Sequence, residues 1–552
     1  MKFQVIAVLL AGCILANAQT ILSVEEAIPA PVKALARPTL TEFPEGVQMA
    51  VTAATEEAQT HVNQGINHLH GGWEFEASRH FAAAMREDPE CLLAHWGMLM
   101  TLLSPSPESA DARAATTDRL LALIDQGKGS ELERGYAYAI VKYLEDGPNG
   151  AANAFRKISE KFPNDLQSPI FAALFGRDGY DELGSARAGQ EAAEQNLLAL
   201  VKKNPLTPLP LNALLTIRAE APDLSNSLEL ANKLHEISPT YPPHTHLLGH
   251  YQWRCGNPKS AVSSFTLAAS SFDNWMKSNK ASAADCPEWV KSECYRIVAI
   301  NSLGDFKTAI AAAKKVAKTP FPAQRGDSPG ARVIFWDAES LPARISLQHA
   351  LPGDAADALA FMGKSGKLPP ERKNSLSHWW NDGLRIVLET QRLIDSGELE
   401  NARAALNALA FHGENMAKSQ QAASASGERS AWTRAFRALE TMAGSLRGRI
   451  ILEGPQDRIG TAYNWFSSAA DGQRPAPMMF PPMVLTPMAI HLGKFYLTTG
   501  KPGDAITAYQ RALATFPSDL PALLGLAEAY TQAELPEKAS ETRAKITALR
   551  AP

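Results

Sequence analysis

The sequence predicts an all-α fold, a solenoid in which pairs of helices stack one upon the next. The main observation lies in the C-terminal part of the chain, where Leu492-Gly493 is followed 34 residues later by Leu526-Ala527. A repeat of this length with small residues at fixed positions is typical of stacked helical hairpins. The length of 552 residues fits the same prediction, because a solenoid grows by adding repeats rather than by enlarging one core.

The N-terminal part of the chain shows the same frame. With Ala58 as position 1, Gly65, Ala77, Phe81 and Pro89 fall at positions 8, 20, 24 and 32. Small residues at positions 8 and 20 let the two helices of a pair approach closely, while the aromatic ring fills the space beside them. The proline marks where the second helix must end.

Weaker copies of the frame lie between these two ends, at 151–163, 248–268, 304–313 and 397–409. The pattern resembles that of tetratricopeptide repeats, whose helix pairs wind into a right-handed superhelix. We expect about seven to ten pairs in all, with divergent hairpins between the clear repeats.

Proline content and pattern strength divide the chain into six parts. They are a signal peptide (1–18), an extended lead-in (19–50), an N-terminal solenoid (51–320), divergent helical hairpins with loops (321–470), a Pro/Met-rich loop (471–487) and a C-terminal pair of repeats (488–550). The Pro/Met-rich loop interleaves prolines with apolar side chains, so we expect it to lie against the solenoid.

The N-terminus has the pattern of a targeting segment. Lys2 supplies a positive charge, residues 3–15 are mostly apolar, and Ala16-Asn17-Ala18 offers small residues before a cleavage point at Gln19. This pattern predicts an exported protein, periplasmic or secreted.

A second interpretation of the same segment stays open. Residues 10–13 spell Leu-Ala-Gly-Cys, the pattern of a bacterial lipobox, in which Cys13 would carry a lipid and anchor the chain to a membrane. The apolar residues after Cys13 favour ordinary cleavage, and either outcome places the chain outside the cytoplasm.

The composition and the motifs argue against two functional classes. A net charge of −4 without a basic cluster is not typical of a nucleic-acid-binding protein. No enzymatic activity and no cofactor are expected, because the chain has neither an H-E-x-x-H helix nor a phosphate-binding glycine loop that ends in Lys-Ser or Lys-Thr. We also predict no nucleophile elbow.

Four cysteines follow the targeting segment. Cys91 is expected to be a buried small apolar residue. Export would permit disulfides, and the pairing among Cys255, Cys286 and Cys294 is left open.

The candidate site lies on the first helix of the central repeat. His246, His250, Trp253 and Arg254 fall at helix positions 5, 9, 12 and 13 when Pro242 is position 1, positions that usually face the concave groove of a tetratricopeptide superhelix. The first three share one helical stripe. An aromatic ring and an arginine in a groove are typical anchors for a protein or peptide partner.

Two alternatives remain for these residues. Histidines four apart on a helix can bind zinc, but no glutamate follows His246 as a metalloprotease helix requires, and no third ligand is evident. The side chains can also simply pack between neighbouring helices. His68, His70 and His80 form a second group around a glycine turn, and their spacing predicts packing rather than a metal site.

Several short strings support a closer resemblance. Glu57-Ala58-Gln59, Asn63-Gln64-Gly65, Asp-Pro-Glu-Cys at 88–91 and Ala-His-Trp-Gly at 94–97 resemble a bacterial branch of exported or cytosolic tetratricopeptide proteins, related to tetratricopeptide repeat protein 38. The resemblance covers about residues 50–545 and departs at 212–219, where the branch tends to have a His- and Tyr-rich helix. It implies a helical solenoid with a binding-scaffold role.

The sequence therefore predicts an exported, non-enzymatic scaffold that binds a peptide or protein partner in its concave groove. The rival hypotheses are a metal-binding or catalytic protein that uses His246 and His250, and an envelope assembly factor anchored through a lipid on Cys13.

Overall fold

The structure is a computed structural model that describes residues 23–104, 107–181, 184–362, 375–422, 429–475, 477 and 480–550. The predicted signal peptide, including Cys13, lies outside the described residues, as do Met478 and Met479 of the Pro/Met-rich loop. Within the described ranges the chain is α-helical, and its β structure is one isolated bridge between Tyr180 and Ala186. The prediction of an all-α solenoid of helical hairpins is confirmed.

The described residues form 25 α-helices. They are α1 Ala30–Lys33, α2 Glu56–His70, α3 Glu74–Glu87, α4 Leu92–Thr101, α5 Ala110–Asp125, α6 Glu131–Lys161, α7 Gln167–Gly176, α8 Ala188–Lys203, α9 Pro208–Ile217, α10 Ser227–Ile237, α11 Pro242–Arg254, α12 Pro258–Asn279, α13 Pro287–Ser302, α14 Phe306–Val316, α15 Pro329–Val333, α16 Leu341–His349, α17 Asp354–Met362, α18 Leu376–Asp395, α19 Leu399–Ala422, α20 Arg429–Leu452, α21 Ala462–Gly472, α22 Ala489–Thr498, α23 Pro502–Thr515, α24 Leu520–Gln532 and α25 Pro536–Arg550.

Most consecutive helices pack against each other in pairs, as α2 does with α3 and α11 with α12. Helix α6 supplies both members of one pair, because Gly147 (φ 72°) breaks it before Pro148. With α6 counted as two helices and the short helices α1 and α15 left out, the described residues contain twelve pairs, more than the seven to ten expected. The estimate was low because pairs such as α9 and α10 lack the small-residue frame and cannot be recognised by it.

An aromatic ring between two glycines fixes the spacing of the clearest repeats. Phe81 lies against Gly65 of its own pair and Gly97 of the next, and Tyr509 lies against Gly493 and Gly525 in the same way. A Cβ on Gly65 would stand 2.7 Å from the Phe81 ring, and one on Gly493 would stand 2.5 Å from the Tyr509 ring. Glycine is required at these positions because any side chain would occupy the volume of the ring.

Contacts also join parts of the solenoid that are far apart in sequence. Ser518 donates a hydrogen bond to the carbonyl of Gly256 at 3.2 Å. Near the N-terminus, Arg79 donates to the side chain of Asn279 at 2.7 Å. The solenoid is thus stabilised by contacts between distant hairpins in addition to those between neighbours.

The four cysteines that the structure describes form no disulfide. Cys91 is buried, as expected. Cys286 caps the start of α13 and Cys294 lies within it, eight residues further on; this is a separation of about 12 Å in a helix, roughly twice the Cα spacing of a disulfide. Burial raises the pKa of both thiols, which keeps them protonated. Among the described helices, none is long and apolar enough to cross a bilayer.

Candidate functional site

The predicted stripe on α11 is buried. His246, His250, Trp253 and Arg254 are each less than a tenth exposed. Nδ1 of His246 lies 2.9 Å from the Ser292 hydroxyl, and the Trp253 indole donates to Ser302 at 3.0 Å; both partners are on α13. These side chains therefore hold α11 against α13 instead of facing an open groove.

The other two predicted site residues, His250 and Arg254, bind the connection after α9. Arg254 donates to the Ala221 carbonyl at 2.9 Å, and Nε2 of His250 lies 3.3 Å from the Ala219 carbonyl. Nδ1 of His250 lies 3.2 Å from the Tyr295 hydroxyl. Burial holds the pKa of His250 well below its usual range, with Arg254 adding to the effect. A role of the four residues in partner binding stays a prediction, and it would require α11 to separate from its neighbours.

His246 and His250 have no third ligand for a metal among the residues that the structure describes. Among the described residues, the group of three His, Cys, Asp or Glu side chains that comes close enough for a metal is a different one, His68, Glu76 and His80. The packing alternative for the α11 histidines accounts for their observed contacts.

The chain itself covers the face of α13 next to this stripe. Tyr295 donates to the carbonyl of Phe480 at 2.8 Å and also contacts that of Pro477. On α16, Arg344 donates to the carbonyl of Pro482 at 2.9 Å. Leu485 is buried in the same core as α13. The described part of the Pro/Met-rich loop thus lies against the helices, as its apolar residues predict.

A second segment without regular structure, residues 39–54, runs along α2. It overlaps the end of the predicted lead-in (19–50), and we use the name lead-in segment for residues 39–54. Three carboxamides of α2 bind both the N–H and the C=O of a lead-in residue: Gln64 binds Thr41 (2.9 and 2.8 Å), Asn67 binds Val47 (2.7 and 3.3 Å) and Asn63 binds Met49 (3.1 and 3.1 Å). We call these side chains, together with Gln59, the amide ladder.

Gln59 extends the ladder by accepting from the N–H of Val51 at 3.4 Å. Along this stretch Val47, Met49 and Val51 are paired with Asn67, Asn63 and Gln59. Four residues of a helix advance about 6.0 Å and two residues of an extended chain about 6.6 Å. The two periods match closely enough for a helix to bind every second residue of a chain that runs in the opposite direction.

Carboxylates continue the line of acceptors beyond α2. The N–H of Thr52 donates to Glu133 at 2.7 Å, and that of Ala54 donates to Asp88 at 2.7 Å. All of these contacts are made to the backbone of the lead-in segment. The arrangement therefore binds an extended polypeptide largely irrespective of its side chains.

A histidine cluster lies beneath the lead-in segment, between α2 and α3. The rings of His68 and His80 stack with centroids 5.1 Å apart, and Nδ1 of His61 lies 2.9 Å from Nδ1 of His80. Burial lowers the pKa of His61 to about 4 and that of His68 to about 3. Phe43 of the lead-in segment packs edge-on against His68 with ring centroids 4.9 Å apart. The α2–α3 hairpin thus brings the rings of His68 and His80 face to face, and the prediction that these histidines pack rather than bind a metal stays a prediction.

The letters of a nucleophile elbow do occur in the chain, at Gly326-Asp327-Ser328-Pro329-Gly330, although none was predicted. Ser328 is buried, and its hydroxyl accepts from the N–H of Ala331 at 3.1 Å as the cap of α15. A strand-to-helix turn with an exposed serine defines the catalytic motif. Here the serine caps a helix and is not exposed.

Comparison with known families adds one observation on the C-terminal helices. The sequence model of the tetratricopeptide repeat family matches residues 496–551, which include part of α22 and all of α23 to α25. Residues 496–551 therefore match the tetratricopeptide repeat. No curated protein matches it significantly in sequence. The narrower resemblance to the bacterial branch related to tetratricopeptide repeat protein 38 stays a prediction.

Several solved structures align along most of the chain. The tetratricopeptide repeat domain of P58(IPK) shares 14% identity over 86% of this chain and 98% of its own, with a TM-score of 0.19. Human IFIT1, solved as a dimer with PPP-AAAA, shares 12% over 90% and 92%, with a TM-score of 0.34. Yeast Tom70 shares 12% over 89% and 93%, with a TM-score of 0.31. At these scores the three structures do not superpose on this chain as whole molecules.

The amide ladder was not among the features predicted from the sequence. The ladder had a visible signal, since Gln59, Asn63 and Asn67 are spaced by four on one face of a helix. His68 and His80 were recognised as part of a histidine group, but their spacing did not indicate that the two rings stack, because they lie on different helices and only the packing of those helices brings them together.

Proposed function

We propose that the chain is an exported, non-enzymatic scaffold that binds an extended segment of a protein partner through the backbone. The tetratricopeptide fold supports the general role of an interaction scaffold. The amide ladder supports the finer proposal, because it already holds one extended polypeptide by its N–H and C=O groups. In the structure that polypeptide is the lead-in segment of the same chain.

The ladder suits such a partner for a physical reason. A carboxamide presents a donor and an acceptor side by side, as a backbone amide does, so each reciprocal pair replaces one rung of a β-ladder. The recognition of backbone rather than side chains is the principle of strand addition to a sheet edge. A partner segment of the same extended form would replace the lead-in segment on α2.

The lead-in segment competes with any partner because it is tethered. A short tether gives it an effective concentration of the order of millimolar at the ladder. Binding of a partner therefore requires either high affinity or weaker attachment of the lead-in segment. Until one of these conditions is met, the lead-in segment would occupy the amide ladder and keep the partner from binding.

A labelled synthetic peptide of residues 40–53, added in trans to the full chain, tests the proposal. In the double variant Val47→Pro/Met49→Pro, the lead-in segment loses two N–H donors while the ladder stays intact. We expect this variant to bind the peptide roughly 10–100-fold more tightly than the wild type, since two lost hydrogen bonds weaken the tethered competitor by about 2 kcal/mol. Fluorescence anisotropy measures the affinity.

Two further variants make the test specific. Gln48→Pro is the matched control, because residue 48 alternates with the paired positions 47 and 49 and its N–H takes no part in the ladder pairs. Adding Asn63→Leu/Asn67→Leu to the double variant should abolish peptide binding. Failure of the double variant to bind the peptide, or unchanged binding without the two asparagines, would show that the ladder only fixes the fold.

Export carries its own test. The pattern of Lys2, residues 3–15 and Ala16-Asn17-Ala18 supports cleavage before Gln19 and a periplasmic or secreted location. The intact mass of the protein recovered from its native host would distinguish a chain that begins at Gln19 from one with an acylated Cys13. A full-length, unmodified chain in the cytoplasm would contradict both.

A further inference from the structure

Three side chains of the α2–α3 hairpin converge in a buried place that the proposed function does not use. His68 lies in the last turn of α2, and Glu76 and His80 lie on α3. One ligand atom from each lies within 4.8 Å of the other two, and all three side chains are buried. Within the described residues, this is the group of His, Cys, Asp or Glu side chains that could surround a metal ion.

The hydrogen bonds of the two histidines leave the same nitrogen available on each ring. Nδ1 of His68 lies 3.2 Å from the Tyr241 hydroxyl, and Nδ1 of His80 lies 2.9 Å from Nδ1 of His61. Nε2 of each ring is buried and finds no hydrogen-bond partner among the residues that the structure describes. Metal-binding histidines show this division, with one nitrogen on the metal and the other oriented by a neighbour.

We propose that His68, Glu76 and His80 bind a divalent first-row transition-metal ion, with Nε2 of both histidines and a carboxylate oxygen as ligands. Imidazole and carboxylate donors suit Zn²⁺ and Fe²⁺ among others. This metal site is proposed without reference to peptide binding by the amide ladder. A bound ion would satisfy the buried Nε2 atoms of both histidines, whereas packing alone leaves them without a partner among the described residues.

The site needs a modest contraction to hold an ion. Two nitrogens at 2.0–2.1 Å from a tetrahedral zinc ion are roughly 3.3 Å apart, so ring rotation must bring the ligand atoms closer than they stand. Burial lowers the pKa of His68 to about 3 and holds that of His80 well below its usual range. Both rings are therefore neutral at physiological pH, as metal ligation requires.

Arg79 is the main competitor for the carboxylate. It donates to Oε2 of Glu76 at 2.6 Å, and both side chains are buried. A carboxylate has two oxygens, so Glu76 can keep Arg79 on one and present the other to a metal. Burial raises the pKa of Glu76 and Arg79 opposes that rise; a bound cation would act in the same direction as the arginine.

The protons of the cluster must also be arranged for ligation. Arg37 donates to Nε2 of His61 at 3.2 Å, which places the proton of His61 on Nδ1 and that of His80 on Nε2. Metal binding reverses this order, so that His80 donates from Nδ1 to His61. Arg37 is nearly half exposed and already pairs with Glu57 at 2.6 Å and Glu87 at 2.9 Å, so it can release His61 at little cost.

The first experiment measures metal on the full-length wild-type protein. After treatment with a chelator, the apoprotein is titrated with Zn²⁺ in competition with a chromogenic chelator, and with Co²⁺ to record visible absorption. We expect one ion per chain and the d–d absorption of a nitrogen- and oxygen-ligated cobalt site. Absence of Zn²⁺ binding together with a featureless Co²⁺ spectrum would overturn the proposal.

The second experiment places the site with paired variants. His80→Gln and His68→Gln should each weaken Zn²⁺ binding by at least about a hundredfold, and Tyr241→Phe by roughly 10–100-fold through loss of the group that orients His68. His70→Gln is the matched control, because His70 is buried on the same helix but its Nε2 lies 3.2 Å from Gln167. The double variant His246→Gln/His250→Gln tests the rival pair.

The outcomes separate the alternatives even where a variant folds poorly. Circular dichroism checks each fold, and Tyr241→Phe is the mildest change in the set. Equal loss with His70→Gln, or loss only in the His246→Gln/His250→Gln variant, would contradict the assignment to His68, Glu76 and His80. Retention of the Co²⁺ spectrum in His80→Gln would do so as well.

Discussion

The side chain of Asn67 binds both polar groups of the Val47 backbone, accepting from its N–H at 2.7 Å and donating to its C=O at 3.3 Å. Both residues are buried. A helix side chain thus takes the place that a neighbouring strand would hold in a sheet.

Replacing Asn67 with leucine should release the lead-in segment locally. The change leaves the N–H and C=O of Val47 without their partner, at a cost of about 1–3 kcal/mol. Hydrogen exchange at the amides of Val47 and Met49 should accelerate roughly 10–100-fold, because exchange follows the free energy of local opening. Gln195→Ala, an exposed carboxamide on α8, serves as the control, and equal exchange in both variants would contradict the role of the ladder.

Tyr295→Phe should loosen the described part of the Pro/Met-rich loop. The hydroxyl is a buried partner of the Phe480 and Pro477 carbonyls and of His250, and its loss costs about 1–3 kcal/mol. Limited proteolysis should then cut within 475–488 faster than in the wild type. Tyr138→Phe, at a tyrosine 54% exposed, should leave the cleavage rate unchanged.

Two glycine substitutions should have opposite effects on thermal stability. Gly97→Ala places a methyl group in the volume of the Phe81 ring and should destabilise the fold by about 1–3 kcal/mol. Gly503 lies in α23, and a methyl group added there would meet no neighbouring atom within 4 Å, so Gly503→Ala should stabilise by about 0.5–1 kcal/mol. Melting temperatures that shift in the same direction for both variants would contradict this account of the packing.

Acid should destabilise the protein through histidines that lose part of their hydration in the fold, His95 and His491 among them. Burial lowers the pKa of His491 to about 3 and that of His95 to about 4, below the value of about 6.5 in an unfolded chain. The stability these neutral rings provide is complete above pH ~6.5 and is lost as the pH falls towards the folded pKa values. In that window each such ring lowers the free energy of unfolding by roughly 1.4 kcal/mol for every pH unit by which the pH falls.

The histidine contribution can be isolated by substitution. His491→Gln removes one group that must bind a proton on unfolding, so the free energy of unfolding should fall less steeply between pH ~6 and ~4 than in the wild type, by up to roughly 1.4 kcal/mol per pH unit. Urea titrations at several pH values provide the measurement. Parallel curves for the variant and the wild type would rule out this role of His491.

The fold was predictable from sequence because it depends on local spacing. Gly65 and Phe81, or Gly493 and Tyr509, are separated by 16 residues in each case, and that fixed spacing records how a helix pair closes. Pairs such as α9 and α10 pack with other side chains, so their number could not be obtained from the same pattern.

The candidate site was less predictable because it depends on contacts between distant segments. The helical spacing placed His246 and Trp253 on one stripe correctly, but it carried no information on α13, whose Ser292 and Ser302 bind them. The approach of His68 to His80 likewise depends on how α3 rotates against α2. A periodic pattern specifies which face of a helix is apolar, but it does not specify which other helix packs against that face.

The hydrogen bond from Ser518 to the Gly256 carbonyl has a consequence for how this chain can change in length. In an open solenoid a hairpin can be inserted or removed without disturbing distant hairpins, because each contacts only its neighbours. Here one added hairpin between α12 and α24 would displace Ser518 by about the 8–10 Å that separates packed helices, and the bond would be lost. The number of hairpins between these two residues is therefore fixed by the closure of the structure.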